Sequence, residues 1–229
     1  MQAQSTKREE GREIYLQPTY FIDADHASVR SFTAGAIAGM EGDVARAVGL
    51  YYAVRDGLRY DPYSTQLTRE ASKASAVIAC GRGYCISKAV VLAATARAVG
   101  IPSRLGFADV RNHLATERLR QAMGTDIFYY HGYTELFLER QWVKATPAFN
   151  IEMCDKFGVL PLEFDGRSDA IFHPFDATNR RHMEYINDRG HRADLPFEEL
   201  HDALHRFYPI MYTIQADADF YADAEAERR

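Results

Sequence analysis

The chain has 229 residues, of which 47% are hydrophobic and 26% are charged, a composition typical of a globular protein with a sizeable core. Its net charge of -5 at pH 7 provides no basic surface for phosphate groups, which argues against nucleic acid or an acidic membrane as a partner. Residues 1–15 lack the apolar core of a signal peptide, and Arg97 interrupts the longest apolar stretch, residues 89–101. We therefore expect a cytoplasmic protein.

The N-terminal half reads as a layer of helices. Residues 1–12 are charged and expected to be loose, and residues 15–26 resemble a strand that leads to a helix start at Asp25. Helical spacing of apolar residues follows over residues 44–58, and then come a turn, a short helix over residues 71–80 and a break at residues 81–84. A buried helix is predicted from Cys85 to Val99, closed by Gly100.

The second half is rich in aromatic and β-branched residues, which favours strands. Residues 103–111, 127–139 and 141–149 read as antiparallel strands, with a tight turn at Glu139 and Arg140. Helices are predicted over residues 114–124 and 196–208, loops over the rest of the tail from Asp155, and a loose end over residues 222–229. The fold class is therefore α+β.

Cys85 stands at the predicted start of a helix, directly after a glycine-rich break. The three cysteines, an odd number in a chain without an export signal, are expected to be free thiols: Cys80, Cys85 and Cys154. A thiol attacks only as thiolate, so a nucleophilic Cys85 needs a lowered pKa, which a helix N-terminus or a nearby imidazolium supplies. Gly81 and Gly83 leave the backbone open to an acyl group. Taken alone, the stretch favours a small core residue over a nucleophile.

Three segments in order carry a more specific signal: "YAVRDGLRYDPY", "GRGYCISKAVVLAATARAVGIPSRLGF" and "HGYTELFLERQWVKATPAF". From Val44 to Pro147 they resemble the transglutaminase-like superfamily of papain-type cysteine enzymes. The resemblance implies a transglutaminase-like, papain-like fold in which the nucleophile helix packs on an antiparallel sheet. It also implies that Cys85 is the nucleophile and His131 its base.

The third member of the catalytic set departs from the family pattern. The family usually has an aspartate before a proline on the strand after the histidine, where this chain has Thr146 before Pro147. A threonine hydroxyl can orient an imidazole but adds no charge to stabilise imidazolium. Thr146 is the first candidate for this role, and Asn150 is the second. Two carboxylates of the tail are also open candidates, Asp155 and Asp169.

Several polar residues are candidates for substrate binding. Tyr60 takes the place of an aromatic oxyanion donor in the family, although a packing role is equally compatible with the sequence. Tyr84 adjoins the nucleophile, and Asn150 follows the Thr146 strand. Asp109 belongs to a polar cluster that follows a strand, together with Arg111, Asn112 and His113. This cluster either binds substrate or forms the hydrogen bonds that a loop requires.

Metal sites are weakly indicated, and we expect no metal or cofactor. His201 and His205 share a helix face, but Asp202 between them is one methylene shorter than the glutamate of metalloproteases. The spacing of Cys80 and Cys85 fits no common zinc motif with His113 and His131. The acidic and aromatic loops over residues 160–176 and 181–197 are expected to cover the cleft side of the sheet, and the aspartates of the first show no regular ligand spacing: Asp165, Asp169 and Asp176.

The sequence therefore predicts one domain over residues 1–229, with a core at about 13–150 and a loop-and-helix extension over 151–229. The predicted function is that of a bacterial-type cysteine enzyme that acts on an amide or peptide bond, as a peptidase or amidase rather than a protein crosslinker. The alternative is a catalytically decayed fold that binds peptides or serves as a scaffold. The substrate, the choice between hydrolysis and transfer, and the oligomeric state are left open.

Overall fold

A long apolar helix lies at the centre of the fold, between other helices and a sheet. The structure is a computed structural model that describes residues 11–63, 67–112, 115–171, 183–210 and 218–227. After a short 3-10 turn at Glu13–Tyr15, the described helices are α1 (Ala27–Ala36), α2 (Asp43–Gly57), α3 (Ala74–Cys80), α4 (Cys85–Ala98), α5 (Glu117–Met123), α6 (Ile151–Phe157), α7 (Phe197–Phe207) and α8 (Phe220–Ala226).

The central helix is α4. Every side chain from Ile86 to Arg97 is buried, because α1, α2 and α3 pack on one side of the helix and the sheet on the other. A helix that is apolar on all sides has to be enclosed in this way. None of the described helices has the length and apolar character that crossing a membrane requires.

The main sheet has four antiparallel strands in the order β5-β4-β3-β6, which are β3 (Ser103–Asn112), β4 (Ile127–Leu138), β5 (Gln141–Ala145) and β6 (Met183–Arg192). Ala108 of β3 pairs with His131 of β4. The turn between β4 and β5 has positive φ at Glu139 (44°) and Arg140 (69°). The α+β class and the three predicted strands are therefore confirmed.

A second, two-stranded sheet leads into α4. Strands β1 (Arg59–Tyr60) and β2 (Arg82–Gly83) pair in parallel. Their bonds run from Arg59 N–H to Gly81 O and from Asp61 N–H to Gly83 O. The end of α2 is thereby tied to the residues that precede Cys85.

Strand β6 corrects the prediction that residues 181–197 form only loops. It pairs with β3 along the sheet edge, and most of its side chains are at least partly exposed, so the apolar alternation of a half-buried strand is missing. Residues 181–182 lie outside the described residues.

Two predictions near the N-terminus and the C-terminus are wrong. Residues 15–26 form no strand, and the first helix begins at Ala27 with His26 as its N-cap instead of at Asp25. Residues 222–226, expected to be loose, belong to α8, which buries Phe220 and Tyr221. Helix α6, which ends at Gly158 in the left-handed conformation, falls in a part of the tail that was predicted to be mainly loop.

Candidate active site

Cys85 is the first residue of α4, and local hydrogen bonds fix the turn that leads to it. The Ser87 hydroxyl accepts a hydrogen bond from Tyr84 N–H (2.9 Å) and donates one to Tyr84 O (3.0 Å). A Cβ on Gly83 would lie 2.4 Å from Ser87 Oγ, so this turn requires glycine. Tyr84 is the half-buried N-cap beside the nucleophile.

The start of α4 approaches β4 at the residue after His131. A Cβ on Gly132 would lie 2.9 Å from Ile86 Cα, which is closer than real Cβ atoms come to another heavy atom. The backbone N–H groups of Gly132, Ile86 and Cys85 itself lie close enough to the Cys85 sulfur to favour its ionised form. The thiol therefore lies against the peptide that follows His131, whose side chain is buried.

Burial dominates the ionisation of the thiol. Loss of hydration raises the pKa of Cys85 to about 11, although the N–H groups of Gly132, Ile86 and Cys85 act in the opposite direction. The sequence led us to expect a lowered pKa. The direction is reversed because side chains from the tail cover the thiol, a contribution that the local sequence around Cys85 does not contain.

Tyrosines surround Cys85. Burial first, and the nearby Cys85 second, raise the pKa of Tyr60 well above its usual range. Burial also raises the pKa of Tyr208, and Cys85 again contributes. The Tyr60 ring packs edge-on against Phe149, at 4.8 Å between centroids. Tyr60 thus lies within electrostatic reach of the sulfur, and Tyr208 is a neighbour that sequence reasoning missed.

The backbone before His131 is irregular and is held by Asp109. Tyr130 has a φ of 56°, and the Asp109 carboxylate accepts its N–H at 3.1 Å. The same carboxylate accepts Arg189 Nε at 2.6 Å. Asp109 thus holds the irregular backbone next to His131, and its charge is balanced by Arg189 of β6, a strand that was predicted to be a loop.

Neither proposed orienter has a hydrogen bond to His131 among those identified. Thr146 Oγ1 is buried and has no hydrogen-bond partner within the part of the chain that the structure describes. Asn150 Oδ1 accepts Tyr60 N–H at 3.0 Å and the Tyr221 hydroxyl at 2.7 Å. Asn150 is therefore a buried link between two tyrosines.

The two tail carboxylates are elsewhere. Asp155 is exposed on α6, and Asp169 accepts Lys144 N–H at 2.8 Å on the edge of β5. His113 and Asp176 lie outside the described residues.

A buried lysine one turn along α4 from Cys85 was also missed. Lys88 is 0% exposed, and its Nζ donates to three backbone carbonyls at 2.7 to 2.8 Å, those of Arg55, Leu58 and Ala148. Burial lowers the pKa of Lys88 to about 7. Its signal in the sequence is a lysine three residues after Cys85, one of two charged residues, with Arg97, in a mainly apolar helix.

The candidate metal residues are spread over the surface. The rings of His201 and His205 are 4.2 Å apart, but His205 Nδ1 lies 2.8 Å from the His201 carbonyl oxygen, within the helix. Asp165 accepts the N–H groups of Arg167 and Ser168. Among the residues in the described ranges, no three His, Cys, Asp or Glu side chains are grouped so that they could hold a metal ion.

An apolar cavity of about 20 Å³ lies on the other side of Tyr60 from the main core. Its walls are mainly aromatic, with one amide among them, and include Tyr60, Asn112, Phe128, Phe149, Phe157 and Phe220. A space of this size holds about one water molecule, so a larger group has to displace part of the wall.

Residues 30–147, slightly more than half of the chain, match the family model described as the transglutaminase-like superfamily. The match includes Cys85, His131 and Thr146. No curated protein matches the chain.

Two solved structures are similar to the chain at low identity. A candidate cysteine protease from Cytophaga hutchinsonii is 14% identical with a TM-score of 0.48, over 80% of this chain and 54% of that one. A candidate protease from Parabacteroides distasonis is 13% identical with a TM-score of 0.37, over 52% of this chain and 22% of that one. The chain thus aligns with about half of the first protein and about a fifth of the second.

Proposed function

Since the chain belongs to the transglutaminase-like superfamily, we propose that it is a cysteine-dependent enzyme that acts on the carbonyl carbon of an amide or peptide. One observation carries the proposal: the Cys85 sulfur lies at a helix N-terminus, against the peptide that follows His131. Cys85, the proposed nucleophile, and His131, the proposed base, come from distant parts of the sequence, and the peptide after His131 lies near the sulfur.

The proposed reaction starts from a neutral thiol, because burial keeps the pKa of Cys85 high. His131 takes the thiol proton as the sulfur-carbon bond forms, and returns it to the leaving amine as the carbon-nitrogen bond breaks. Water or a second amine then attacks the thioester and releases Cys85. Water is the acceptor that we favour, which makes the enzyme a peptidase or amidase.

Two groups are assigned to the developing oxyanion and one to the imidazole. The backbone N–H of Cys85 and the hydroxyl of Tyr60 are the proposed oxyanion donors, since both lie beside the sulfur. Thr146 is the proposed acceptor for the second ring nitrogen of His131 during the reaction, because its buried Oγ1 has no hydrogen-bond partner among the described residues and is free to take this role. The neutral hydroxyl predicts weaker imidazolium stabilisation than an aspartate gives.

Trapping of the acyl-enzyme tests the proposal. Incubation with an activated peptide ester should add the acyl mass to Cys85 alone, as read by mass spectrometry of the intact protein and its digest. Cys85→Ala should abolish the adduct, and His131→Ala should slow its formation at least 100-fold, within the usual range for a general base. Cys80→Ala, which removes an exposed thiol, is the matched control and should change nothing. An adduct that persists in Cys85→Ala would overturn the assignment.

A peptide-binding module without catalysis is the second candidate, and the burial that raises the pKa of Cys85 is the observation that favours it. It predicts that peptides bind the chain while no acyl-enzyme forms and no product appears. Thr146→Asp separates the two candidates. It should increase the rate of acylation if His131 is a working base, and leave it at zero if the site only binds.

A further inference from the structure

Helix α8 is an acidic segment seated among basic side chains. Asp223 pairs with Arg118 at 3.3 Å, Glu225 pairs with Lys156 at 2.8 Å, and each lysine or arginine comes from a different helix, α5 or α6. A third pair joins Asp219 and Arg59 at 3.8 Å. The rim of this groove is therefore positively charged on at least three sides.

Two aromatic side chains anchor α8 in the floor of the groove. Phe220 and Tyr221 are each 3% exposed. Phe220 forms part of the cavity wall together with Tyr60, and the two ring centroids are 5.9 Å apart. The Arg59 guanidinium lies 3.7 Å above the Tyr221 ring. Burial of aromatic side chains stabilises more than partly exposed ion pairs do, so Phe220 and Tyr221 are the main anchors of the helix.

The groove continues to the nucleophile. The Tyr221 hydroxyl donates to Asn150 Oδ1 at 2.7 Å, and the same oxygen accepts Tyr60 N–H. Tyr60 in turn adjoins Cys85, which packs against the same hydrophobic cluster as Phe220 and Tyr221. Tyr60 thus lies between Phe220, at the start of the helix, and the proposed catalytic sulfur.

We propose that this groove is the peptide-binding groove of the site, that it selects a segment with aromatic residues flanked by aspartate or glutamate, and that residues 218–227 occupy it as an internal competitor. The inference rests on the proposed function for the identity of the site. The ion pairs that hold the occupant are partly exposed, since the Arg59 and Arg118 side chains are 47% and 53% exposed. Solvent screens such pairs, so each one contributes little to holding the helix in place.

Binding of a synthetic peptide to the full chain tests the proposal. The probe is a fluorescein-labelled peptide with the sequence of residues 218–227, ADFYADAEAE. In a Cys85→Ser background, Asp223→Lys/Glu225→Lys weakens the internal helix, so the peptide should bind at least tenfold more tightly than to the unchanged chain. A peptide with lysine at the same two positions should bind at least tenfold more weakly than the acidic one.

Charge-swapped and distant variants are the controls. Adding Arg118→Asp and Lys156→Glu to the Asp223→Lys/Glu225→Lys chain restores the internal ion pairs with the charges exchanged. This chain should again exclude the acidic peptide. Glu139→Lys/Glu198→Lys breaks two exposed pairs far from the groove and should leave peptide affinity unchanged. The neutral variant Asp223→Asn/Glu225→Gln replaces the lysine variant if circular dichroism shows that the latter is unfolded.

A second readout uses the chain with Cys85 present. Release of α8 should increase the rate at which iodoacetamide labels Cys85 at least fivefold, and added acidic peptide should reverse the increase. Equal peptide affinity for the unchanged and the variant chain would overturn the proposal and make α8 a structural cap only. Peptide binding does not need the thiol, so a groove that binds in a chain that forms no acyl-enzyme would refute the proposed reaction and leave this inference standing.

Discussion

At the Cys85 sulfur, the loss of hydration raises the pKa by more than the nearby backbone N–H groups of Gly132, Ile86 and Cys85 lower it. With a pKa of about 11, roughly one thiol in a thousand is ionised at pH 8. We expect iodoacetamide to label Cys85 in the folded chain at least tenfold more slowly than in urea at pH 8, where an ordinary thiol has a pKa of about 8.5. The rate should rise about tenfold per pH unit until close to pH 11.

Cys80 is the internal reference in that experiment, because it is exposed and its labelling measures the activity of the reagent in the same digest. A labelling rate for Cys85 that levels off below pH 8 would indicate a preformed thiolate and contradict the neutral resting state.

The raised pKa also has a consequence for stability. The Cys85 contribution to the free energy of unfolding is complete below about pH 8.5 and is lost as the pH rises towards 11.

Lys88 is a second buried group whose environment decides its role. Three carbonyl oxygens lie within hydrogen-bond distance of Lys88 Nζ, and Lys88→Met leaves all three without this donor group. We expect the free energy of unfolding to fall by about 3 kcal/mol at pH 9, the upper end of the cost of one unsatisfied buried group. Urea denaturation measures this loss.

The pH dependence of the Lys88→Met effect has a definite sign. Burial lowers the pKa from 10.5 to about 7, so between these values the unfolded chain binds more protons and stability rises with pH, by up to about 1.4 kcal/mol per unit. The loss caused by Lys88→Met should therefore be smaller at pH 7 than at pH 9. Lys73→Met is the matched control, and a loss as large for Lys73 would refute a special role for Lys88.

Among the elements, the contact between α4 and β4 brings the start of the helix that carries Cys85 to the strand that carries His131. Gly132→Ala would set a Cβ 2.9 Å from Ile86 Cα, and a helix backbone cannot give way as a flexible side chain can. We expect the start of α4 to move from β4, with a loss of about 1–3 kcal/mol in the free energy of unfolding. Acylation of Cys85 should fall with it.

Gly35→Ala is the matched control for this substitution. Gly35 lies in α1, and nothing stands within 4 Å of its hypothetical Cβ. Alanine in that helix interior should be neutral or stabilise the chain by up to about 1 kcal/mol. If Gly132→Ala proved as harmless in denaturation and acylation, the close approach would not control the position of Cys85.

The elements that the sequence predicted correctly are those whose structure is determined by residues within the element itself. Helix α4 is marked by its apolar run and by Gly100, which has a φ of 80°, and the turn at Glu139 and Arg140 is marked by the strands on either side. Strand β6 was missed because it is stabilised by pairing with β3. Its own residues are mostly polar and show no alternation of apolar and polar side chains. Helix α8 was missed because its charges pair with side chains that lie more than 60 residues away along the chain.

At the scale of the whole molecule, the predictable part of the site is the pair of segments that carry Cys85 and His131. Their surroundings depend on the tail: Tyr208 and Tyr221 cover the thiol side, and Arg189 balances Asp109. No local pattern around Cys85 contains this information, which is why the direction of its pKa shift was not foreseen. The single-domain partition of residues 1–229 and the role of Thr146 stay predictions.

The three carbonyl partners of Lys88 become available at different times while the chain is synthesised. Two of them precede Lys88 in the chain, at Arg55 and Leu58, whereas the third, at Ala148, is made 60 residues later. A chain that leaves the ribosome from its N-terminus has no third acceptor for this ammonium until the β5 segment has been translated and docked. Lys88 therefore gains its full set of carbonyl partners only after Ala148 has been made, when the strand that carries His131 is already part of the chain.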